Sequence, residues 1–327
     1  MAVFTEVTSE QAEILAQRLN LGPVLELRGI TAGIENTNYF LTTERGKYVL
    51  TVFERLTFEQ LPFYLQLMKH LAARGVAVPD PQADAAGEIL FAINGKPAAV
   101  VDKLAGAHEL APDAAHCAQV GAQLARMHLA GQDFALKQPN LRGLPWWVET
   151  VPVVLPYLER EQSTLIKDEL QYQCQLASSP DYLALPRGPI HADLFRDNVM
   201  FERHENGKDG DRLSGFFDFY FAGVDTFLFD IAVCLNDWCI DLSSGRLDEA
   251  RAEAFVQAYE TERRLTGAEH RLLPALLRAA ALRFWISRLW DFHLPREASM
   301  LKPHDPSHFE QVLRERIATP WHALSSQ

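Results

Sequence analysis

The chemistry of this chain concentrates in one short run, Ile190-His191-Ala192-Asp193-Leu194-Phe195-Arg196-Asp197-Asn198-Val199-Met200-Phe201, and in the acid of Gly215-Phe216-Phe217-Asp218-Phe219. Asp193 stands on a turn leaving an apolar strand, where a carboxylate can orient a substrate hydroxyl and accept its proton. Asn198 offers a neutral amide oxygen and Asp218 an anionic one; hard oxygen donors of this kind suit Mg²⁺. The interval of about 20 residues between Asn198 and Asp218 fits a β-hairpin that brings the two side by side. A base beside two oxygen ligands is equipment for moving a phosphoryl group from a nucleotide to an alcohol.

Other polar residues near this run read as support. His191 has no second His or Cys at ligand spacing, so it reads as a structural histidine that steadies the loop. Asp225 and Asp230, in Gly223-Val224-Asp225-Thr226-Phe227-Leu228-Phe229-Asp230-Ile231-Ala232, enter an apolar helix. There each can cap the helix or accept backbone N–H bonds from the loop. His128 falls on an apolar stripe and reads as a satisfied core histidine. Arg196, Arg283 and Arg288 are candidates for pairing with an acceptor carboxylate. Trp285 and Trp290 fit either a pocket wall or the core of a long helix.

The elements that must position these residues divide by texture. Thr8-Ser9-Glu10-Gln11 has the form of a capping box, followed by apolar residues at helical spacing. Strand patterns fall at residues 24–27, 38–42, 48–53, 89–93 and 98–101, with Glu44-Arg45-Gly46-Lys47 and Asn94-Gly95 as hairpin turns. A second capping box, Thr57-Phe58-Glu59-Gln60, predicts a helix inserted between them. After Gly106 long helical patterns take over, at 114–128, 247–264 and 272–290. The fold class is therefore α+β, a small and mostly antiparallel β lobe over residues 1–103 and a larger α-rich lobe over 104–327. The polar stretch from His204 to Asp211 reads as a solvated hairpin tip.

Composition narrows the partners. With 31 Lys and Arg against 43 Asp and Glu, the net charge is −12. That argues against a nucleic-acid binder, which needs a basic face to displace phosphate counterions, and against docking on anionic membranes. It leaves ATP open, because a nucleotide is held by local groups rather than by net charge. The four cysteines, Cys117, Cys174, Cys234 and Cys239, form no CxxC pair and read as reduced thiols. The N-terminal residues lack the pattern of a signal peptide, and no apolar run is long enough to span a bilayer, so the expected location is the cytoplasm.

Aligned on His191, Asp193, Leu194 and Asn198, the central run resembles the H-R-D-L-x-x-x-N catalytic loop of protein kinases, with Ala192 in the Arg position and Asp218 in place of the D-F-G acid. Taken whole, the chain resembles the aminoglycoside phosphotransferase/choline kinase superfamily, and within it the bacterial homoserine kinase branch. Further matching stretches are Gly29-Ile30-Thr31-Ala32-Gly33-Ile34-Glu35-Asn36-Thr37-Asn38-Tyr39, Tyr48-Val49-Leu50-Thr51-Val52-Phe53-Glu54, Leu61-Pro62-Phe63-Tyr64-Leu65 and Val76-Ala77-Val78-Pro79-Asp80-Pro81. The resemblance implies a protein-kinase-like two-lobed fold, ATP and Mg²⁺ as cofactors, and O-phosphorylation of L-homoserine towards threonine. It implies Asp193 as catalytic base and Asn198 and Asp218 as metal ligands. Gly29, Gly33, Asn36 and Asn38 would cover the phosphates, and backbone near Val101 and Leu104 would read adenine.

One departure stands out. Thr51 occupies the place where many members carry a phosphate-binding Lys; Lys47 and Arg55 are the nearby substitutes, and Glu59 the candidate acidic partner on the helix. An aminoglycoside, choline or other small alcohol would use the same catalytic residues. A nucleotide-binding pseudokinase or a metal-dependent hydrolase are the readings outside the kinase class.

Overall fold

The computed structural model describes residues 4–31, 36–203, 210–294 and 304–324. Gly33 and most of the polar 204–211 stretch therefore lie outside the described residues. The chain divides into two units, residues 1–106 with 214–217, and residues 107–213 with 218–327.

In the first unit, helix α1 (Ser9–Arg18) begins where the sequence predicts. Gln11 N–H donates to Thr8 Oγ1 at 3.2 Å and Thr8 N–H donates to Gln11 Oε1 at 3.0 Å, which closes the capping box. Strands β1 (Val24–Gly29), β2 (Asn36–Thr43), β3 (Lys47–Phe53), β4 (Phe91–Ile93) and β5 (Lys96–Asp102) form one antiparallel sheet in the order β1-β2-β3-β5-β4. β2 buries alternate residues, Thr37, Tyr39, Leu41 and Thr43, as a half-covered strand must. Leu41, Leu50, Val52, Ala98 and Val100 join Ala12, Leu15 and Ala16 of α1 in a single cluster. Burying each Leu completely contributes about 1.5–3 kcal/mol. Asn94 and Gly95, both at positive φ (52° and 76°), make the tight turn between β4 and β5.

Helix α2 (Leu61–Ala73) starts later than its capping-box signal suggests. Gln60 is the N-cap with no side-chain bond to the helix; its Oε1 accepts instead from Thr57 N–H at 3.0 Å. Pro62 explains the shift, since proline is preset for the first helical turn and lacks the N–H that would otherwise need a cap. The 214–217 stretch joins this unit through Phe216 N–H, which donates to Ala77 O at 3.0 Å. A Cβ on Gly215 would sit 2.7 Å from that carbonyl and 2.9 Å from Leu104 Cδ2, so the close approach needs glycine.

The second unit is mainly helical: α3 (Ala114–Ala130), α4 (Leu144–Val154), α5 (Arg160–Ala177), the single turn α6 (Pro180–Leu183), α7 (Phe227–Trp238), α8 (Glu249–Glu262), α9 (Gly267–His293) and α10 (Ser307–Ala318). Strand β6 (Arg187–Ile190) pairs antiparallel with β9 (Gly223–Thr226). A further two-stranded ladder joins β7 (Val199–Glu202) to β8 (Arg212–Phe216). Thr226 ends β9 and caps α7, accepting Phe229 N–H at 3.2 Å. α3 and α8 meet almost backbone to backbone: a Cβ on Gly121 would lie 2.2 Å from Phe255 O. Among the described residues no helix is long and apolar enough to cross a membrane. All four cysteines are free thiols, and Cys117, Cys234 and Cys239 are buried.

Candidate functional site

Strand β6 delivers the chain to His191, Ala192 and Asp193. Ala192 takes a left-handed backbone, φ 65°, which costs an ordinary residue about 1–2 kcal/mol. The compensation comes from Asp230, wholly buried in the first turn of α7. Its Oδ2 accepts His191 N–H and its Oδ1 accepts Ala192 N–H, both at 2.8 Å. A carboxylate that meets two consecutive backbone donors fixes the turn on which Asp193 sits.

Asp230 is itself held from behind. Burial drives the buried His128 below its ordinary pKa, so the ring is neutral. Its Nε2–H donates to Asp230 Oδ2 at 3.1 Å, and its Nδ1 accepts from Tyr259 O–H at 2.7 Å. Tyr259 then accepts Arg263 Nη1–H at 3.2 Å, and Arg263 reaches Glu269 at 2.9 Å. Burial would raise Asp230, but the hydrogen bonds from the His128 ring and the His191 N–H hold it below the usual carboxylate value. It is an anion buried among donors.

A second acid of α7 clamps the other end of the loop. Asp237 accepts Arg196 N–H at 2.8 Å, Nε at 3.0 Å and Nη2 at 3.1 Å. Leu194 O is taken by Trp238 Nε1–H at 3.0 Å. Within the loop, Asn198 Nδ2 donates to Asp193 O at 2.8 Å. That leaves the Asn198 amide oxygen with no hydrogen bond among the described residues, a neutral oxygen available to a cation. Asp218 has the left-handed geometry φ 65°, ψ 58°, rare for a non-glycine residue and common where function holds a strained backbone. An amide oxygen and a carboxylate fit Mg²⁺, which keeps waters and needs only one or two protein ligands beside phosphate.

Asp193 keeps 19% of its side chain open, yet protein crowds its other sides. Burial raises its pKa to about 8; Asp218 and Asp197 push the same way, while Arg283 and Arg288 oppose them. Arg283 Nη2 lies 3.9 Å from Asp193 Oδ1, beyond hydrogen-bond distance.

The remaining residues singled out in the sequence fall in different places. His191 lends its backbone N–H to Asp230 and packs its buried ring at a tilt of 52° against Phe219, 4.6 Å between centroids. Asp225 does not reach the loop. It accepts from Asn140 Nδ2 at 3.0 Å and Arg187 Nη1 at 3.4 Å, on the β6–β9 ladder opposite Gly188, and burial raises its pKa. Arg196 is spent on Asp237. Arg288 lies over the Phe309 ring at 4.8 Å. Trp285 is wholly in the core, whereas Trp290 is partly exposed.

Asp237, Tyr259 and Arg263 were not foreseen. A signal for Asp237 exists: Asp230, Cys234 and Asp237 fall at i, i+4 and i+7 on an otherwise apolar helix, one face that addresses the loop. Tyr259 and Arg263 sit on an ordinary amphipathic helix end and carry no comparable mark.

In the first unit, the turn residues are brought together by the β1–β2–β3 register. Gly29 pairs with Tyr39, Ile30 N–H donates to Asn38 O at 2.8 Å, and Asn36 pairs with Phe53. Asn38 Oδ1 accepts Thr51 Oγ1–H at 2.8 Å, so the threonine in the lysine position bonds to an asparagine of the turn. Lys47 is a correction to the expected set. It pairs with Thr42, about 20 Å along the ladder from Asn36. Its carbonyl accepts Lys103 N–H at 3.0 Å, and its side chain is exposed. The lysine at the Asn36 end is Lys96, paired with Glu54 and bonded to Thr5 Oγ1 at 2.8 Å; Glu54 also accepts Thr37 Oγ1–H at 2.6 Å. Glu59 precedes α2 and is exposed. Val101 pairs with Val49, and Leu104 packs on Gly215.

Comparison with known proteins places this geometry. Residues 26–273 match the family model of the phosphotransferase enzyme family. The homoserine kinase of Polaromonas naphthalenivorans (strain CJ2) is 67% identical over 321 residues, 98% of this chain and 99% of that protein. The homoserine kinase of Paraburkholderia xenovorans (strain LB400) is 59% identical over 319 residues, 97% and 96% of the two chains. Among solved structures, amicoumacin kinase hAmiN, in complex with AMP-PNP, Ca²⁺ and Ami, superposes with a TM-score of 0.65 at 19% identity, covering 89% of this chain and 86% of that one. At that identity the likeness is one of fold.

Proposed function

Because the chain belongs to the phosphotransferase enzyme family, we propose that it transfers the γ-phosphoryl group of ATP to the hydroxyl of L-homoserine, giving O-phospho-L-homoserine and ADP. The observation that carries the substrate is near-full-length identity to proteins called homoserine kinase. The clamped loop supplies the mechanism.

Asp193 orients the acceptor hydroxyl and takes its proton as that oxygen bonds to the γ-phosphorus and the bond to the β-phosphate oxygen breaks. A carboxyl poised near neutrality suits that proton transfer. Asp230 and Asp237 hold the loop so that the base does not have to be ordered in each turnover. Asn198 and Asp218 would hold Mg²⁺, which when bound neutralises charge on the phosphates. In the first unit, Gly29, Asn36 and Asn38 are the described residues that the family resemblance assigns to the phosphates, and the backbone at Val101 and Leu104 is assigned to adenine; Gly33 lies outside the described residues. On this reading residues 1–103 are the nucleotide-binding lobe and 104–327 the catalytic and acceptor lobe. The acidic chain acts in the cytoplasm, on small molecules.

An ADP-release assay with Mg²⁺–ATP tests the proposal, comparing L-homoserine with L-serine, choline and kanamycin. Turnover specific to L-homoserine is expected, with kcat about 10²–10⁴-fold lower in Asp193→Asn and nucleotide affinity retained. Turnover on another alcohol would remove homoserine while keeping the mechanism. Nucleotide binding without turnover on any of the four would point to a non-catalytic module.

A further inference from the structure

The arginine beside the base has an unspent charge. Arg283, on α9, is 3% exposed, yet its Nε and Nη2 are enclosed with no hydrogen-bond partner among the described residues. Phe221 and Phe284 face its guanidinium at 5.3 and 3.8 Å, so rings rather than acids surround it. The nearest acid is Asp193 at 3.9 Å, and the positive charges of Arg142 and Arg288 add to the local field. Leaving a buried cation unbonded is costly, and such a group in a folded protein calls for an explanation. The other two candidate arginines are committed elsewhere, Arg196 to Asp237 and Arg288 to the Phe309 ring.

We propose that Arg283 binds the α-carboxylate of the acceptor amino acid and is the residue that distinguishes it from a simple amino alcohol. This rests on the reading of the chain as an L-homoserine kinase. The placement fits the substrate's dimensions. Its hydroxyl must lie within hydrogen-bond reach of Asp193, and only a two-methylene arm and the α-carbon separate that hydroxyl from the carboxylate. The acid-recognising group must therefore lie close to the base, as Arg283 does. On this proposal the ligand meets the guanidinium through Nη1, since Nε and Nη2 are enclosed. A guanidinium–carboxylate bond formed among rings, away from bulk water, is stronger than one at the surface. The same bond gives the Arg283 guanidinium a hydrogen-bonded counter-charge, which Asp193 at 3.9 Å does not.

The test uses L-homoserine and 3-aminopropan-1-ol, the same molecule without its carboxylate, on wild type, Arg283→Met and Arg283→Lys. In Arg283→Met the preference for L-homoserine collapses by about 10²-fold or more, through a rise in KM for L-homoserine. Turnover of 3-aminopropan-1-ol then reports that the variant is folded. Arg283→Lys keeps a cation but not the planar fork, and loses part of the preference. This second variant reads the same ratio if the methionine variant does not fold. Equal losses on both substrates would overturn the assignment and make Arg283 a partner of Asp193 or of the phosphoryl group. A wild type with no preference between the two would overturn it while sparing the kinase reading. A wild type idle on L-homoserine would remove both.

Discussion

The loop bearing Asp193 and the strand ends of the first unit, at Gly29 and at Asn36–Asn38, are built on different plans. The loop is held by side chains that reach backbone: Asp230 on two consecutive N–H groups, Asp237 on Arg196 and Trp238 on Leu194 O. The strand ends of the first unit are held mainly by backbone on backbone, through ladder pairs such as Gly29–Tyr39 and Asn36–Phe53, with side-chain bonds such as Thr51 to Asn38 and Thr37 to Glu54 added. A loop tied by particular side chains has one geometry and tolerates few residue types. A ladder accepts many sequences provided their alternation is right. On the proposed function, a base that must meet a hydroxyl within a fraction of an ångström needs the first plan, whereas a cradle of N–H groups for phosphates can use the second.

The sharpest way to break this contrast is Asp230→Ala. It orphans the N–H groups of His191 and Ala192 and the ring of His128 at once, so a loss of about 3 kcal/mol or more is expected in urea unfolding, together with loss of turnover. An unchanged midpoint would mean that the loop does not depend on this anchor.

Acid should act on the same network. The pKa of His128 is lowered by burial, so its stabilising contribution is complete above the ordinary histidine value and is lost as pH falls through about 6.5, where the unfolded chain takes up the proton. Asp230, also lowered, adds a further loss in the carboxylate range. The urea midpoint should fall from pH 7.5 to 5.5, and His128→Gln should flatten that fall. A slope identical in both proteins would place the titration elsewhere.

The smallest effect belongs to the strand ends of the first unit. Thr51→Val removes a single neutral bond and should cost about 1 kcal/mol, with the ladder intact. A loss as large as that of Asp230→Ala would erase the distinction between the two plans.

The same distinction explains what could be read in the sequence. Asp193, Asn198 and Asp218 stand out in the sequence because hydroxyl activation and a hard cation demand those functional groups at set spacings, and their roles remain part of the proposed function. The strands were legible from alternation, and α1 from its capping box. The start of α2 was not, because Pro62 overrides the cap signal. Lys47 was misplaced because a charge is visible in a sequence but a ladder register is not; six paired positions separate it from Asn36. Tyr259 was invisible because its partner His128 lies 131 residues away, and Arg283 was one of three equal candidates until the structure showed Arg196 paired with Asp237 and Arg288 over the Phe309 ring.

The crossing of α3 and α8 gives Gly121 a part to play in chemistry that it never touches. His128 is one element of that crossing and Tyr259 the other, and their 2.7 Å bond has little tolerance. Gly121 acts as the spacer gauge: with Phe255 O where a side chain would stand, a single added methyl must wedge the helices apart. The misfit would pass along α3 to His128, then to Asp230 and so to the turn under Asp193. The alignment of Asp193 would therefore be machined in part by the absence of one carbon atom where the two helices cross.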